Sequence, residues 1–245
     1  MAISLRFRSA ARTHVGCVRR HNEDAFVDRP QAGLWAVADG MGGHHGGALA
    51  SGLIAQTLGE ISSGVAGEDL LDEARERLGR VNRTLLARAA QLEPGSVIGS
   101  TAVVLAVQAG RFGCLWAGDS RCYRLRGGEL QRLSHDHSVV QELIDSGELS
   151  PEQAKTYKRS NVITRAVGVY PRLHADLVEG EIQPADLYLL CSDGLTGMVE
   201  DAEIADLLDA PDLETAADRL METTLNRGAR DNVTVVLVRA DQSGP

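Results

Sequence analysis

Four aspartates of the chain occur in similar settings. Asp39 ends the apolar run LWAVAD and is followed by Gly40, and Asp193 ends LYLLCSD and is followed by Gly194. Asp119 ends CLWAGD, and Asp231, in RDNVTVV, stands just before the last apolar run. Carboxylates at the mouths of buried strands repel one another. At about 4 Å, with an effective dielectric near 20, each unscreened pair costs on the order of 4 kcal/mol. Acids kept in this way point to hard divalent cations, and oxygen donors suit Mg2+ or Mn2+ better than Zn2+. Asp-Gly is also a common hairpin dipeptide, but a hairpin requires a second alternating strand straight afterwards. Here both Asp-Gly pairs lead into helix-like segments, so a plain turn fits neither. Spacing alone does not decide whether the four acids converge.

Histidines offer a rival chemistry. His44 and His45 stand side by side in MGGHHGG (41–47). Adjacent residues on an extended chain point apart, and no His-x-x-x-His or cysteine partner is near, which counts against zinc. The loop fits neither Gly-x-Gly-x-x-Gly nor Gly-x-x-x-x-Gly-Lys-Ser/Thr, which counts against a nucleotide cradle. His135 and His137 flank Asp136 in SHDHS. Asp136 is expected to cap the helix that follows, and the two histidines to take a structural or substrate-rim place.

The elements that must position these residues follow from the hydrophobic pattern. LRFRSAARTHVG (5–16) alternates as a strand, with AFV (25–27) as a short partner. LWAVAD (34–39) is apolar on both faces, as a central strand would be. Segment 48–61 reads as a helix, and Leu71, Ala74, Leu78, Val81 and Leu85 mark the buried stripe of another. The stretches 101–108, 111–119, 121–126 and 129–134 look like one antiparallel meander. A helix over 136–147, a helix start at Ser150-Pro151, a buried strand at 186–194, helices at 201–209 and 212–226, and a last strand at 233–240 complete the order. This order lacks the alternation of a doubly wound parallel sheet. It predicts an α+β sandwich of mostly antiparallel sheets covered by helices, in a single domain spanning 1–245 with a flap at about 145–165.

The 245 residues carry a net charge of −9, with 43% hydrophobic and 24% charged side chains. That balance argues against a nucleic-acid or anionic-membrane binder. It permits an anionic substrate if bound cations reverse the local charge. Four scattered cysteines read as reduced thiols, and no apolar run is long enough for a signal peptide or a membrane span. The expectation is a cytoplasmic protein.

Eight stretches in order then carry a resemblance across nearly the whole chain. They are GCVRRHNEDAF (16–26), VADGMGG (37–43), GSTAVV (99–104), WAGDSRCYRL (116–125), LSHDHS (133–138), ITRAVG (163–168), LLCSDGL (189–195) and RDNVTVVLV (230–238). Together they resemble the metal-dependent serine/threonine protein phosphatases, the PPM or type 2C family, in its bacterial form. The resemblance implies a four-layer α-β-β-α sandwich. It implies hydrolysis of phosphoserine and phosphothreonine by a metal-bridging hydroxide, with phosphorylated proteins as substrates and a bacterial Ser/Thr protein kinase as the opposing enzyme. A monomer is expected, and bacterial secretion-system regulation is one setting.

Carried over by position, Asp39 bridges two Mn2+ or Mg2+ ions, and the Gly40 carbonyl is a further ligand. Asp193 and Asp231 complete the shell of the first ion, and Glu23 and Asp24 act near the second, partly through water. Asp119, with Asp193 and the Ser160 carbonyl, offers a place for a third. Arg19 matches the phosphate-binding arginine, with Arg20 as the neighbouring alternative. Met41 stands where many eukaryotic members carry a proton-donating histidine, and His44 could enter the substrate site in its place. Gly197 occupies a position where relatives often have an acid. No Cys-x5-Arg signature surrounds any cysteine, so cysteine-dependent phosphatase chemistry is set aside. The alternative kept is a non-catalytic binding or sensor module on the same fold.

Overall fold

The computed structural model describes residues 5–43, 46–62, 69–154, 157 and 162–242. His44, His45 and Ser160 lie outside them. In chain order the strands are β1 (Leu5–His14), β2 (Asp24–Arg29), β3 (Leu34–Met41), β4 (Gly99–Ser100), β5 (Ala102–Gln108) and β6 (Arg111–Ala117). They continue with β7 (Arg121–Arg126), β8 (Glu129–Arg132), β9 (Asp176–Glu181), β10 (Leu187–Cys191) and β11 (Val233–Gln242). The helices are α1 (Gly46–Gly59), α2 (Asp69–Ala89), α3 (Val139–Asp145), α4 (Pro151–Ala154), α5 (Asp193–Thr196), α6 (Asp201–Leu208) and α7 (Leu213–Asn226).

The strands form two antiparallel sheets, ordered β1-β11-β10-β7-β8 and β2-β3-β5-β6-β9, with β4 paired to the end of β3. Strand alternation sorts side chains to the two faces of each sheet. On β3, Trp35 and Val37 face the other sheet, joining Val103 and Leu105 of β5 and Tyr188 and Val236 from β10 and β11. Leu34, Ala36 and Ala38 face away and pack on α1 and α2 through Ile54, Leu58, Leu78 and Leu85. The other sheet does the same with α6 and α7: Leu189, Val235 and Leu237 meet Ile204, Ala217 and Leu220. Three apolar seams thus hold four layers, helices outside and sheets within, as expected from the sequence. Each fully buried Leu, Ile or Val side chain contributes about 1.5–3 kcal/mol.

Three local expectations are corrected. β2 does not partner β1; it pairs with β3, while β1 pairs along its whole length with β11. The four strands read as a meander divide between the sheets: β5 and β6 pair in one, β7 and β8 in the other. The chain crosses between them at Gly118, Asp119 and Ser120. Gly118 adopts φ of 116°, a conformation side chains avoid, and a Cβ there would lie 2.6 Å from Thr101 Cβ. Finally, Asp136 does not cap α3. Ser138 does, its side chain accepting from the Gln141 N–H, while Asp136 accepts from Arg121 at 2.6 Å. β9 and the two-residue β4 carry too little alternation to be read from sequence. Of the expected flap, α3 closes at Asp145 and α4 is a single turn.

Candidate metal centre

The two sheets bring their acids to one end. Asp24 and Asp39 are direct cross-strand partners on β2 and β3. Asp193 opens α5 immediately after β10, and Asp231 precedes β11, the neighbour of β10. Asp119 comes from the crossover between the sheets. Asp39, Asp119, Asp193, Asp231, Glu23 and Arg19 line a common cleft of about 320 Å3. The four aspartates therefore converge. Asp24 lies behind the cleft, where its Oδ2 accepts from the hydroxyls of Ser192 at 2.8 Å and Thr234 at 2.7 Å. Its Oδ1 is buried and has no hydrogen-bond partner.

Close backbone packing sets this geometry. The Asp39 N–H donates to Thr101 Oγ1 at 3.0 Å, and the Thr101 N–H returns a bond to the Asp39 carbonyl at 2.8 Å. Gly40 donates to the Glu23 carbonyl at 3.1 Å. A Cβ on Gly40 would lie 2.1 Å from the Gly47 carbonyl oxygen, and one on Gly47 2.8 Å from the Glu23 carboxyl carbon. The glycines of this loop thus seat the start of α1 directly against the end of β3. His137 performs a similar service on the other side. Its N–H donates to the Gly118 carbonyl at 3.0 Å and its Nδ1 accepts the Gly118 N–H at 3.2 Å, while its ring stacks on Trp116. That fixes the residue next to Asp119. His135, by contrast, is half-exposed and pairs with Asp145 at 2.7 Å.

Crowding and burial push the acids toward their neutral forms. Desolvation is the largest cause for each, followed by or opposed by the neighbours. Asp24 rises to about 6, its two hydroxyl donors opposing, and Asp119 rises to about 8 with help from Asp193. Asp39 stands well above the ordinary carboxylate value, raised further by Asp24, Asp193 and Asp119. Asp193 is raised by burial and then by Asp231, against a hydrogen bond from Asp39. Oxygen-only donors that resist ionising together, with an orphaned buried oxygen on Asp24, fit divalent cations. Among the described residues no three acids already form a ready-made cage. The reason is visible in their present partners. Arg19 clamps Asp231 with two bonds of 2.9 and 2.7 Å, and Asp39 bears directly on Asp193.

Of the other expected residues, Arg19 and Arg20 are both exposed, and of the two only Arg19 belongs to the cleft lining. Met41 lines the cleft. Several supporting residues escaped sequence reasoning. Asn232 accepts the Glu23 N–H at 2.8 Å and donates to the carbonyls of Val15 and His21. Its signal was its place in RDN beside Asp231. Thr101 and His21 line the cleft, and Ser192 and Thr234 hold Asp24. No spacing rule marks these four. The four cysteines are all free, three of them buried.

The site is thus an antiparallel double sandwich with acids gathered at one end and an arginine beside them. The sequence pattern described as Protein phosphatase 2C matches residues 18–237, and the chain belongs to that family. It is 37% identical over 236 residues to the serine/threonine protein phosphatase PstP of Mycobacterium tuberculosis. The match covers 96% of this chain and 45% of PstP, so the chain spans about half the length of that relative. The structure of PppA, a key regulatory component of T6SS in Pseudomonas aeruginosa, superimposes with a TM-score of 0.90 at 44% identity, covering 97% of this chain and 99% of that one. The PstP catalytic domain in complex with two manganese ions gives 0.88 at 36% identity, covering 98% and 100%. The fold is that of the PPM phosphatases.

Proposed function

We propose that this chain hydrolyses phosphoserine and phosphothreonine in proteins with two divalent cations, Mn2+ or Mg2+. The observation that carries the reading is the meeting of carboxylates from both sheets with one arginine in one cleft. Asp39, Asp193, Asp231 and the Gly40 carbonyl would hold the core pair, with Glu23 in reach and Asp24 behind. Asp119, beside Asp193, would serve a third, joined by the Ser160 carbonyl of the flap. When bound, such cations lower the pKa of water and offset phosphoryl charge.

The protein's own groups do the rest. Arg19 presents a planar fork that matches two phosphate oxygens, which a lysine does not. Ser192 and Thr234 fix the rotamer of Asp24, and Asn232 fixes the backbone of Glu23. Met41 cannot give a proton, so the leaving alkoxide must draw one from water or from a neighbouring histidine such as His44. A non-catalytic binding module, the rival reading, would tolerate loss of these acids, yet all of them are present. The substrates are taken to be phosphoproteins made by a Ser/Thr protein kinase, in the cytoplasm, with a monomer as the working unit. The likeness to PppA favours a T6SS setting.

The test is hydrolysis of a phosphoserine peptide in Mn2+ by the wild type, Asp39→Asn and Asp193→Asn. Hydrolysis abolished in folded variants is expected; full activity in either variant, or in excess chelator, overturns the assignment.

A further inference from the structure

Away from the acid cleft, α2 and the segment 171–175 enclose a second hollow of about 370 Å3. Arg75 and Arg83 enter its wall from α2, and Arg172 from the facing segment. Positions 75, 79, 82 and 83 follow the i, i+4, i+7, i+8 spacing that puts residues on one helix face. No carboxylate belongs to the wall. Among the described residues none of these three guanidiniums has an ion-pair or hydrogen-bond partner. Arg77 and Arg80, on the same helix, behave differently: they take Glu73 and Glu76. A convergent set of unpaired cations is unusual in a chain of net charge −9, where acids are plentiful. Like charges facing one hollow repel unless an anion joins them.

The floor of the hollow is open by composition. Gly79 sits inside α2, where glycine costs about 1 kcal/mol relative to alanine. The nearest group to a Cβ placed there is the Arg83 guanidinium, at 3.8 Å. The Arg83 guanidinium therefore lies beside the glycine, where α2 presents no side chain of its own.

The wall is also tied to the acid cleft. Asn82, almost wholly buried, donates to the Tyr170 carbonyl at 2.9 Å and accepts the Gly168 N–H at 2.7 Å. Val167 exchanges two backbone bonds with Ser100, at 3.0 and 2.9 Å, and Ser100 is the register partner of Gly40. An occupant drawing Arg172 toward α2 bears on the strand that carries Asp39.

We infer that this hollow is a second anion site, which takes a phosphoryl or sulfuryl group on Arg75, Arg83 and Arg172. Three guanidiniums supply several donors in planar pairs, the geometry that oxyanions accept. The group can come from free inorganic phosphate or from a phosphorylated side chain, and the chemistry at the arginines is the same.

The site is tested on chelator-treated protein, so that its failure is separate from failure of the hydrolytic reading. Calorimetric titrations use inorganic phosphate, a phosphoserine peptide and the same peptide unphosphorylated. They are run on wild type, on Arg75→Gln/Arg172→Gln and on Arg19→Gln. The expected result is binding of phosphate or of the phosphopeptide that weakens at least about tenfold in the double variant, the loss of one charge-assisted contact or more, and is unchanged in Arg19→Gln. Binding of phosphate assigns a free oxyanion, and binding of the phosphopeptide alone assigns a phosphorylated side chain. No binding by the wild type, equal affinity in the double variant, loss in Arg19→Gln, or equal binding of the unphosphorylated peptide overturns the inference. The arginines are exposed, so circular dichroism of the variants should match the wild type.

Discussion

Arg19 and Asp231 are joined by a two-pronged ion pair, Nε to Oδ1 at 2.9 Å and Nη2 to Oδ2 at 2.7 Å. The proposed phosphate ligand and the proposed metal ligand thus hold each other. A cation on Asp231 competes with Arg19, and an arginine released from Asp231 is free to turn its fork to substrate. Arg19→Ala should lower kcat/KM for a phosphoserine peptide by roughly 10²–10³, the loss of a bidentate charge-assisted contact. Arg20→Ala should stay within about twofold of the wild type, since surface changes away from a site are near neutral. Steady-state kinetics in saturating Mn2+ distinguishes the two arginines. Equal losses would remove the distinction.

The acids of the cleft make the metal-free protein pH-sensitive, and the sign is fixed by linkage. Asp24 and Asp119 are raised to about 6 and about 8, above the ordinary carboxylate value. Across that window the native chain binds more protons than the unfolded chain, so stability is greatest below it and falls as pH rises through it. In chelator, Tm should drop between about pH 5 and pH 8.5, and Asp119→Asn should flatten the upper part of the drop. Adding Mn2+ at the alkaline end should raise Tm, by about 2.7 kcal/mol of stability at a hundredfold excess over Kd. A metal-free Tm that rises with pH over this range contradicts the crowding described.

Gly40→Ala tests the close approach of α1 to β3. Its Cβ would meet the Gly47 carbonyl oxygen at 2.1 Å and the Glu23 carbonyl oxygen at 2.6 Å, and both of these are backbone atoms. Overpacking of this kind costs typically about 1–3 kcal/mol. A fall in urea midpoint of that size is expected, together with lost activity because Asp39 is the adjacent residue. A variant as stable as the wild type would show that the loop yields.

The reassigned helix cap offers a ranking. Ser138→Ala should cost about 1 kcal/mol, as loss of an N-cap does. Asp136→Asn strips Arg121 of its buried partner and should cost more, on the order of 3 kcal/mol. His137→Ala leaves the Gly118 N–H without its acceptor, at about 1–3 kcal/mol. Urea unfolding of the three variants measures the order, and a Ser138 effect larger than that of Asp136 reverses the assignment.

What could be read from the sequence and what could not divide along physical lines. Asp39 and Asp193 were legible because an apolar run ending in Asp-Gly and entering a helix cannot be a hairpin. Their convergence was not legible, since it depends on β10 and β11 being neighbours while β3 lies in the other sheet. The false meander has the same origin: β6 and β7 carry ordinary strand patterns, and only Gly118 marks the crossing. Asp136 and Ser138 both stand within capping reach of α3, and the choice was made by Arg121, fifteen residues away in sequence. Ser192 and Thr234 were invisible because a hydroxyl aimed at a buried carboxylate leaves no periodicity. Arg19 needed the motif, as its ion pair spans 212 positions.

β1 pairs with β11 over ten consecutive registered positions, from Leu5 with Gln242 to His14 with Val233. The earliest described strand therefore waits for the latest one. On a ribosome, the sheet containing β10 cannot be completed, nor Asp231 delivered to Asp39, until β11 has emerged. Every shorter nascent chain lacks a full set of acids. Such long-range pairing makes folding slow relative to helical proteins. It also means that the cleft is completed in one step, when β11 takes its place, rather than growing with the chain.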